Sequence, residues 1–210
     1  MTSSLPPQHG RQRLIEAALN LSYHRRSFSS LGIREIAREA GLSAPAFYRH
    51  FEDLASLGQA VIDEIERDVI RAFTEVRVAT AREADLDIRP VLLKRFFDWA
   101  VENPKPIVVG ASEAFGSLEK MRQGLKKTLR TISIDICTDP RISGLLPGLP
   151  QQEMTEVLEV LAQNMLFMAV DYVETPQERD AIYDKALRIV GVMFAGAHAI
   201  HALQTENASN

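Results

Sequence analysis

The chain has 210 residues, 46% of them hydrophobic, and a net charge of −4 at pH 7. It is long and apolar enough to bury a core, which excludes a disordered tail. No apolar run reaches the roughly 20 residues of a membrane-spanning helix, and the N-terminus MTSSLPPQHG lacks the apolar centre of a signal peptide, so we expect a cytoplasmic protein that makes no membrane contact. A single cysteine, Cys137, excludes an intramolecular disulfide and a thiolate zinc cluster.

The charges are distributed unevenly along the chain. Residues 8–52 contain seven arginines and four glutamates, a net charge of +3, so residues 53–210 carry −7. A short basic segment attached to a larger acidic body is typical of a protein that brings only one end to phosphates. On charge alone, a solvated helix surface explains the pattern as well.

The apolar residues recur at intervals of three and four, and no segment alternates as a strand would, which predicts an all-α protein. Asp53 is a suitable N-cap for a long fourth helix. The predicted helices number about nine and lie at residues 10–24, 33–40, from 44, from 53 for about 30 residues, 88–102, 104–114, 118–137, 151–173 and 177–203, with a loop at 138–150.

The sequence GLSAPAFYRHF at residues 41–51 predicts a tight turn between two short helices. Gly41 follows the second helix where a left-handed residue is favoured, and Ser43 can cap the third helix. Pro45 is tolerated in the first turn because the N–H that it lacks has no intrahelical partner there. Two short helices joined by three residues form a helix-turn-helix.

The third helix has a buried and an exposed side. Phe47 and Phe51, at i and i+4, are expected to pack on the first two helices. The remaining side chains point away from this core, as in a helix that enters a major groove. The candidate DNA-contacting residues of the segment are Ser43, Ala44, Pro45, Tyr48, Arg49 and His50.

Each exposed residue type suits one kind of DNA contact. Arg49 can reach a guanine edge, and the small apolar surface of Pro45 suits a thymine methyl group. Tyr48 and His50 can donate hydrogen bonds to phosphates, which fix the register of the helix on the duplex. The alternative is that these are ordinary surface residues of a helical hairpin.

These motifs resemble a known family. GIREIAREAGLSAPAFYRHFEDLASLGQAVIDE, preceded by RQRLIEAAL, is similar to the DNA-binding domain of the TetR family of bacterial transcription regulators. The motif resemblance covers residues 11–66, and within the family FSSLGIREIAREAG, FYRHFEDL and LGQAVIDE resemble the FabR and DesT fatty-acid regulators. It implies an N-terminal arm and three-helix DNA-binding domain at residues 1–52, and a larger helical ligand-binding and dimerisation domain at residues 53–210.

The resemblance also implies roles for single residues. Arg34, at the start of the second helix, matches a position that commonly touches phosphate. The chain departs from the usual pattern at Ala44 and Asp53, where many members have lysine. Phosphate contacts are therefore expected to depend more on Arg11, Arg13 and Arg34.

The implied body would bind a small apolar effector between its helices, and the FabR-like pattern implies a long-chain acyl-CoA. One departure leaves the effector open: FabR-like proteins tend to be arginine-rich after Asn103-Pro104, whereas IVVGASEAFGS carries no cation. Apolar residues at helical spacing are usually core, which is the alternative for every candidate. The candidate effector-binding residues are Phe73, Phe96, Phe97, Trp99, Val108, Phe115, Met121, Met165, Met168 and Tyr172.

The resemblance further implies a homodimer formed by the last two helices, whose wide apolar faces suit an isologous interface. Such a dimer would recognise a palindromic operator on double-stranded DNA, with recognition helices about 34–36 Å apart. An effector that tilts the long fourth helix would change that spacing, and the family pattern implies repression.

Catalysis is the competing class of function. The chain has no HExxH, no cysteine pair, no GxSxG and no Gly-rich phosphate loop, so we expect neither an enzyme nor a cofactor or metal site. A helical lipid or acyl carrier without DNA binding is the other alternative. It would be favoured if Arg49→Ala and Tyr48→Phe left function intact.

Overall fold

The computed structural model describes residues 7–83, 85–144 and 149–208, with side chains from residue 9 to residue 203. All regular structure in these ranges is helical, which confirms the predicted all-α class. The α-helices are α1 (Pro7–Arg25), α2 (Ile33–Glu39), α3 (Ala44–Phe47), α4 (Leu54–Ala79), α5 (Ile88–Glu102), α6 (Pro104–Glu113), α7 (Glu119–Cys137), α8 (Pro140–Ser143), α9 (Gln151–Glu174) and α10 (Arg179–Ala208), and a 3₁₀ turn at Pro176–Glu178 precedes α10.

The helix α8 lies inside the stretch that the sequence predicted to be a loop. Asp139 caps it by accepting a 2.9 Å hydrogen bond from the N–H of Arg141, and Pro140 occupies its first turn. Arg141 also donates through Nη1 to the carbonyl oxygen of Thr80 at 2.8 Å. A helix of four residues is too short to show apolar periodicity in the sequence. This helix depends on its cap and on the carbonyl of a distant residue.

The predicted cap of α4 is confirmed. Asp53 Oδ1 accepts a 2.6 Å hydrogen bond from the N–H of Ser56, and the N–H of Asp53 donates to Ser56 Oγ at 3.2 Å. The Ser56 backbone N–H favours the charged carboxylate and therefore lowers the pKa of Asp53 below its ordinary value.

The chain divides into two compact units. The first comprises the residues up to Glu66 together with Asn103–Thr128, and the second comprises Arg67–Glu102 and the residues from Leu129 onward. In the first unit α6 packs against α1, so α6 shares a compact unit with the helix-turn-helix. The predicted boundary at residue 52 separates a DNA-binding domain from a ligand-binding domain, which is a division by function. It stays a prediction.

The first unit has a continuous apolar core to which α1, α2, α3, α4 and α7 contribute. Leu14, Ile36, Phe47, Leu57 and Met121 are fully buried within it. Each of these residues comes from a different helix, so the core depends on contacts that are distant in sequence.

In the second unit α5 packs against α9 and α10. The rings of Phe97 and Tyr172 lie 4.5 Å apart between centroids, and Tyr183 donates its O–H to the carbonyl oxygen of Pro90 at 3.0 Å. Cys137, the lone cysteine, is buried, and this burial raises the pKa of its thiol. It therefore behaves as a small apolar residue.

The helix α10 keeps most of its apolar surface outside the core of its unit. Val192 is 71% exposed and Leu203 is 60% exposed, and nothing lies within 4 Å of a Cβ placed on Gly191 or Gly196. By length and composition, the span Pro176–Leu203 would also suit a membrane crossing, which the sequence analysis did not anticipate. A single such helix is weak evidence for a membrane protein.

Candidate nucleic-acid interface

The turn between α2 and α3 is closed by two backbone hydrogen bonds. Gly41 has a left-handed φ of 63°, as the sequence predicted. The N–H of Leu42 donates to the Ala37 carbonyl oxygen at 2.7 Å, and the N–H of Gly41 donates to that of Arg38 at 2.9 Å. This is a Schellman motif, which fixes the direction in which the chain leaves α2.

Ser43 caps α3, as predicted, by accepting a 3.3 Å hydrogen bond from the N–H of Ala46 at its Oγ. The α-helix itself ends at Phe47, earlier than the sequence pattern implied. The N–H of His50 donates to the Phe47 carbonyl oxygen at 2.9 Å, and the N–H of Phe51 donates to the same oxygen at 3.0 Å. Residues 48–50 therefore form a tight final turn, as is common at helix ends.

The buried side of this segment is the one predicted. Phe47 is fully buried and Phe51 is 6% exposed, and their ring centroids lie 5.8 Å apart. Both belong to the core that contains Ile36 and Leu14. The two rings anchor the short helix, since four helical residues cannot be stable alone.

The opposite side of the segment is open to solvent. Tyr48 is 59% exposed, and Pro45 and Arg49 are exposed as well. Ser43 is exposed and Ala44 is half-buried. A proline, a phenol and a guanidinium therefore stand together on the outer surface of a rigidly anchored turn.

Two arginines of α1 pack against residues 41–51, and His50 packs against α1. The guanidinium carbon of Arg11 lies 5.2 Å from the ring centroid of Phe51, a cation–π distance. Arg13 Nη2 lies against Gly41, where a Cβ would be only 2.3 Å away, and His50 Nε2 lies 2.6 Å from a Cβ placed on Gly10. These contacts join residues that are distant in sequence, so no local signal revealed them.

Further arginines on the same unit remain available for an anion. Arg34, Arg38 and Arg49 are exposed and make no ion pair with any residue that the structure describes. Arg25, in contrast, is paired with Glu35. The free guanidiniums give this unit positive charge beside the exposed turn.

A sequence model of one protein family matches this part of the chain. Residues 14–61 match the bacterial regulatory proteins of the tetR family. Over these residues the chain is therefore similar to that family. The match covers α1 from residue 14 onward, α2, α3 and the first part of α4, the elements that build the exposed turn.

The complete chain resembles solved structures of TetR regulators. A tetR-family transcriptional regulator from Streptomyces coelicolor is 21% identical, with a TM-score of 0.64 over 97% of this chain and 86% of that one. The fatty acid degradation regulator FadR from Bacillus halodurans is 16% identical, with a TM-score of 0.61 over 93% and 98%. Thermus thermophilus FadR, a repressor solved with lauroyl-CoA, is 18% identical, with a TM-score of 0.55 over 85% and 92%. Identities this low establish the shared fold alone.

The ten candidate effector residues of this chain are divided between the two compact units. Val108 and Met121 lie buried in the first unit, and Phe115, also in the first unit, is 84% exposed. The others lie in the second unit, where all are buried except Phe96, which is half-buried: Phe73, Phe96, Phe97, Trp99, Met165, Met168 and Tyr172.

Four of the second-unit candidates form a continuous aromatic row. Ring centroids lie 6.3 Å apart for Phe73 and Phe96, 5.6 Å for Phe96 and Phe97, and 4.5 Å for Phe97 and Tyr172. A cavity of about 650 Å³ in this unit is lined by other residues, including Arg77, Arg89, Asp139 and Arg141. The aromatic row is thus packed apolar material. That an effector binds beside it stays a prediction.

We expect Gly41→Ala to destabilise the first unit. An L-residue in the left-handed region costs roughly 1–2 kcal/mol, and its Cβ would displace Arg13 from a 2.3 Å approach. Gly41→Asn is the matched control, since asparagine carries the same Cβ but adopts the left-handed conformation more readily. Urea unfolding should rank stability as glycine, then asparagine, then alanine; an alanine variant as stable as wild type would contradict the strained turn.

Proposed function

We propose that this chain is a TetR-family regulator that binds a palindromic operator on double-stranded DNA through the exposed turn of residues 43–50, and that a small apolar molecule modulates this binding. The observation that carries the proposal is the exposure of Tyr48 and Arg49 directly beside the fully buried Phe47. A buried anchor holds the outer side chains in one orientation, which base readout requires.

The exposed residues divide into base-reading and phosphate-binding groups. Arg49 has a free guanidinium for the O6 and N7 atoms of guanine, and Ala44 and Pro45 present apolar surface to a thymine methyl. Tyr48 and Arg34 supply donors for phosphate oxygens. Arg11, Arg13 and His50 add donors at the rim while their contacts with Phe51, Gly41 and Gly10 hold the turn against α1.

We expect Arg49→Ala to weaken operator binding by roughly 1–3 kcal/mol, which is about 5- to 150-fold. Tyr48→Phe, which removes one phosphate donor, should weaken it less and across all sequences. The measurement is fluorescence anisotropy on the duplex upstream of the protein's own gene, at stated salt concentrations, because phosphate contacts make affinity steeply salt-dependent.

Arg82→Ala is the matched control, since it removes the same charge from an exposed position in the second unit. It should leave operator affinity unchanged. Wild-type affinity in both Arg49→Ala and Tyr48→Phe would instead favour a helical acyl carrier that does not bind DNA.

We propose that the exposed face of α10, together with the exposed side of α9, packs against a second copy of the chain. Val192, Ile200 and Leu203 on α10 and Phe167 on α9 are exposed apolar side chains in one unit. The vacant space at Gly191 and Gly196 lets another helix approach closely. The regulator would act as a cytoplasmic homodimer, with two recognition segments for two half-sites.

We expect Val192→Arg to convert the dimer into a monomer, because a guanidinium would be buried without a partner in an apolar interface. Val78→Arg is the matched control: Val78 and Val192 are both 71% exposed, and Val78 lies on α4. Sedimentation velocity measures both variants. A wild-type monomer, or a wild-type protein that requires detergent to stay in solution, would contradict the dimer.

The effector is proposed to be a long-chain acyl-CoA. Two observations support this class: Thermus thermophilus FadR was solved with lauroyl-CoA, and this chain has an aromatic row from Phe73 to Tyr172 in its second unit. An extended apolar row suits an acyl chain better than a compact polar metabolite. The effector would change operator affinity by shifting α4 between a DNA-binding and a non-binding conformation. The change in operator affinity can be no larger than the difference between the effector's affinities for these two conformations.

We expect acyl-CoA to change operator affinity by about 5- to 150-fold, the usual range of allosteric coupling. Anisotropy titrations should compare lauroyl-CoA, palmitoyl-CoA and an unsaturated acyl-CoA, with free coenzyme A as the control for the nucleotide part. Operator binding that is indifferent to every acyl-CoA would retain the DNA-binding regulator and overturn the fatty-acid assignment.

A further inference from the structure

A buried carboxylate lies in the same compact unit as the helix-turn-helix. Glu113 is the last residue of α6 and only 2% exposed. Its Oε1 accepts a 2.8 Å hydrogen bond from the backbone N–H of Phe28, which lies in the connection between α1 and α2. One side chain of α6 therefore satisfies a backbone donor of the connection that leads into α2.

Phe28 is the point at which several elements meet. Its ring is fully buried and lies 3.3 Å from a Cβ placed on Gly58 of α4. Met121 Sδ, from α7, lies 2.6 Å from the same position. A side chain at Gly58 would displace Met121 or Phe28. We call Phe28, Gly58, Glu113 and Met121 the Phe28 node.

The second oxygen of Glu113 has no hydrogen-bond partner. Oε2 is buried and unpaired among the residues that the structure describes, and it lies 2.1 Å from a Cβ placed on Gly116. An unpaired buried carboxylate oxygen costs free energy, and apolar packing would be the more stable choice at such a site. A role outside stability is therefore the better explanation for the carboxylate.

Backbone hydrogen bonds lie along the connection from Phe28 to the first turn of α2. The N–H of Leu31 donates to the Phe28 carbonyl oxygen at 3.1 Å, and the N–H groups of Glu35 and Ile36 both donate to that of Gly32 at 3.0 Å. These bonds hold Leu31 to Phe28 and the first turn of α2 to Gly32, the residue that follows Leu31. Arg34 is exposed in that first turn.

We propose that Glu113 is a positioning residue for DNA binding: its carboxylate fixes the α1–α2 connection to α6, and a displacement of α6 moves the start of α2. The inference rests on the proposed DNA-binding function. Glu113 touches no DNA, so its effect is on the orientation of α2 and the turn that follows it.

Three variants test the positioning role. Glu113→Ala removes the acceptor, Glu113→Gln keeps an acceptor at the same place, and Gly116→Ala leaves Glu113 intact but crowds its carboxylate. Glu119→Ala is the control, because it removes an exposed carboxylate from the first turn of α7 in the same unit. The readouts are hydrogen exchange at the Phe28 amide and affinity for operator and for random duplex DNA.

We expect Glu113→Ala and Gly116→Ala to speed exchange of the Phe28 amide and to weaken operator binding by about tenfold, as for one buried hydrogen bond. Random-duplex affinity should not change, because non-specific binding depends on charge rather than orientation. Glu113→Gln, which keeps an acceptor, should have wild-type Phe28 exchange and wild-type operator affinity. Glu119→Ala should also match wild type.

The positioning role would be overturned if the Phe28 amide of Glu113→Ala exchanged as slowly as in wild type. It would also be overturned if Glu113→Gln behaved like Glu113→Ala in both readouts. If Glu113→Ala fails to fold, the same two readouts on Gly116→Ala decide the question. Lost protection with unchanged operator affinity would overturn this inference alone, whereas a wild-type protein that binds no duplex would overturn the proposed function with it.

Discussion

The burial of Phe47 is the contact on which the proposed DNA-binding surface depends. Helix α3 has only four residues, so hydrogen bonds along its backbone cannot hold it together. Its stability comes from an aromatic ring set into the core that α1, α2 and α4 share. Because the ring is fixed, the neighbouring Tyr48 and Arg49 are fixed also, and a rigid outer surface is what recognition of base edges needs.

Local polar interactions then set the direction of the chain around this anchor. The left-handed Gly41 ends α2, Ser43 starts α3, and Asp53 starts α4, each with a hydrogen bond to a nearby N–H or carbonyl. Such caps each contribute about 1 kcal/mol, less than the burial of a large ring, so they select geometry more than they provide stability. The unit thus combines one nonlocal anchor with several local constraints.

The two units differ in how much of their apolar surface is buried. In the first unit the side chains of Phe28 and Met121 are fully buried, and the carboxylate of Glu113 is buried as well. In the second unit α10 leaves an apolar stripe outside, including Val192 and Leu203. An exposed stripe of this kind on a long helix is characteristic of an interaction surface, which is why we propose that a second copy of the chain covers it.

Local sequence signals located most of the helices and the turn between α2 and α3. The spacing of Ile33, Ile36 and Ala40 located α2, and glycine, serine and proline in sequence located the turn, because capping and helical periodicity act within a few residues. The same reasoning identified Tyr48 and Arg49 as the outer face, since Phe47 and Phe51 occupy the inner one. It missed α8, which is too short for a periodic pattern.

Contacts between distant residues were decided by the tertiary structure alone. The sequence shows that Arg11, Arg13 and His50 are charged or polar, but only folding brings them against Phe51, Gly41 and Gly10. Likewise, nothing in the sequence around Glu113 indicates a hydrogen bond to Phe28. The sequence by itself determined the helical class, the turn and its exposed face, because those follow from local hydrogen bonding and periodicity. The tertiary structure decided which side chains meet across the core, because close packing joins residues that no local rule connects.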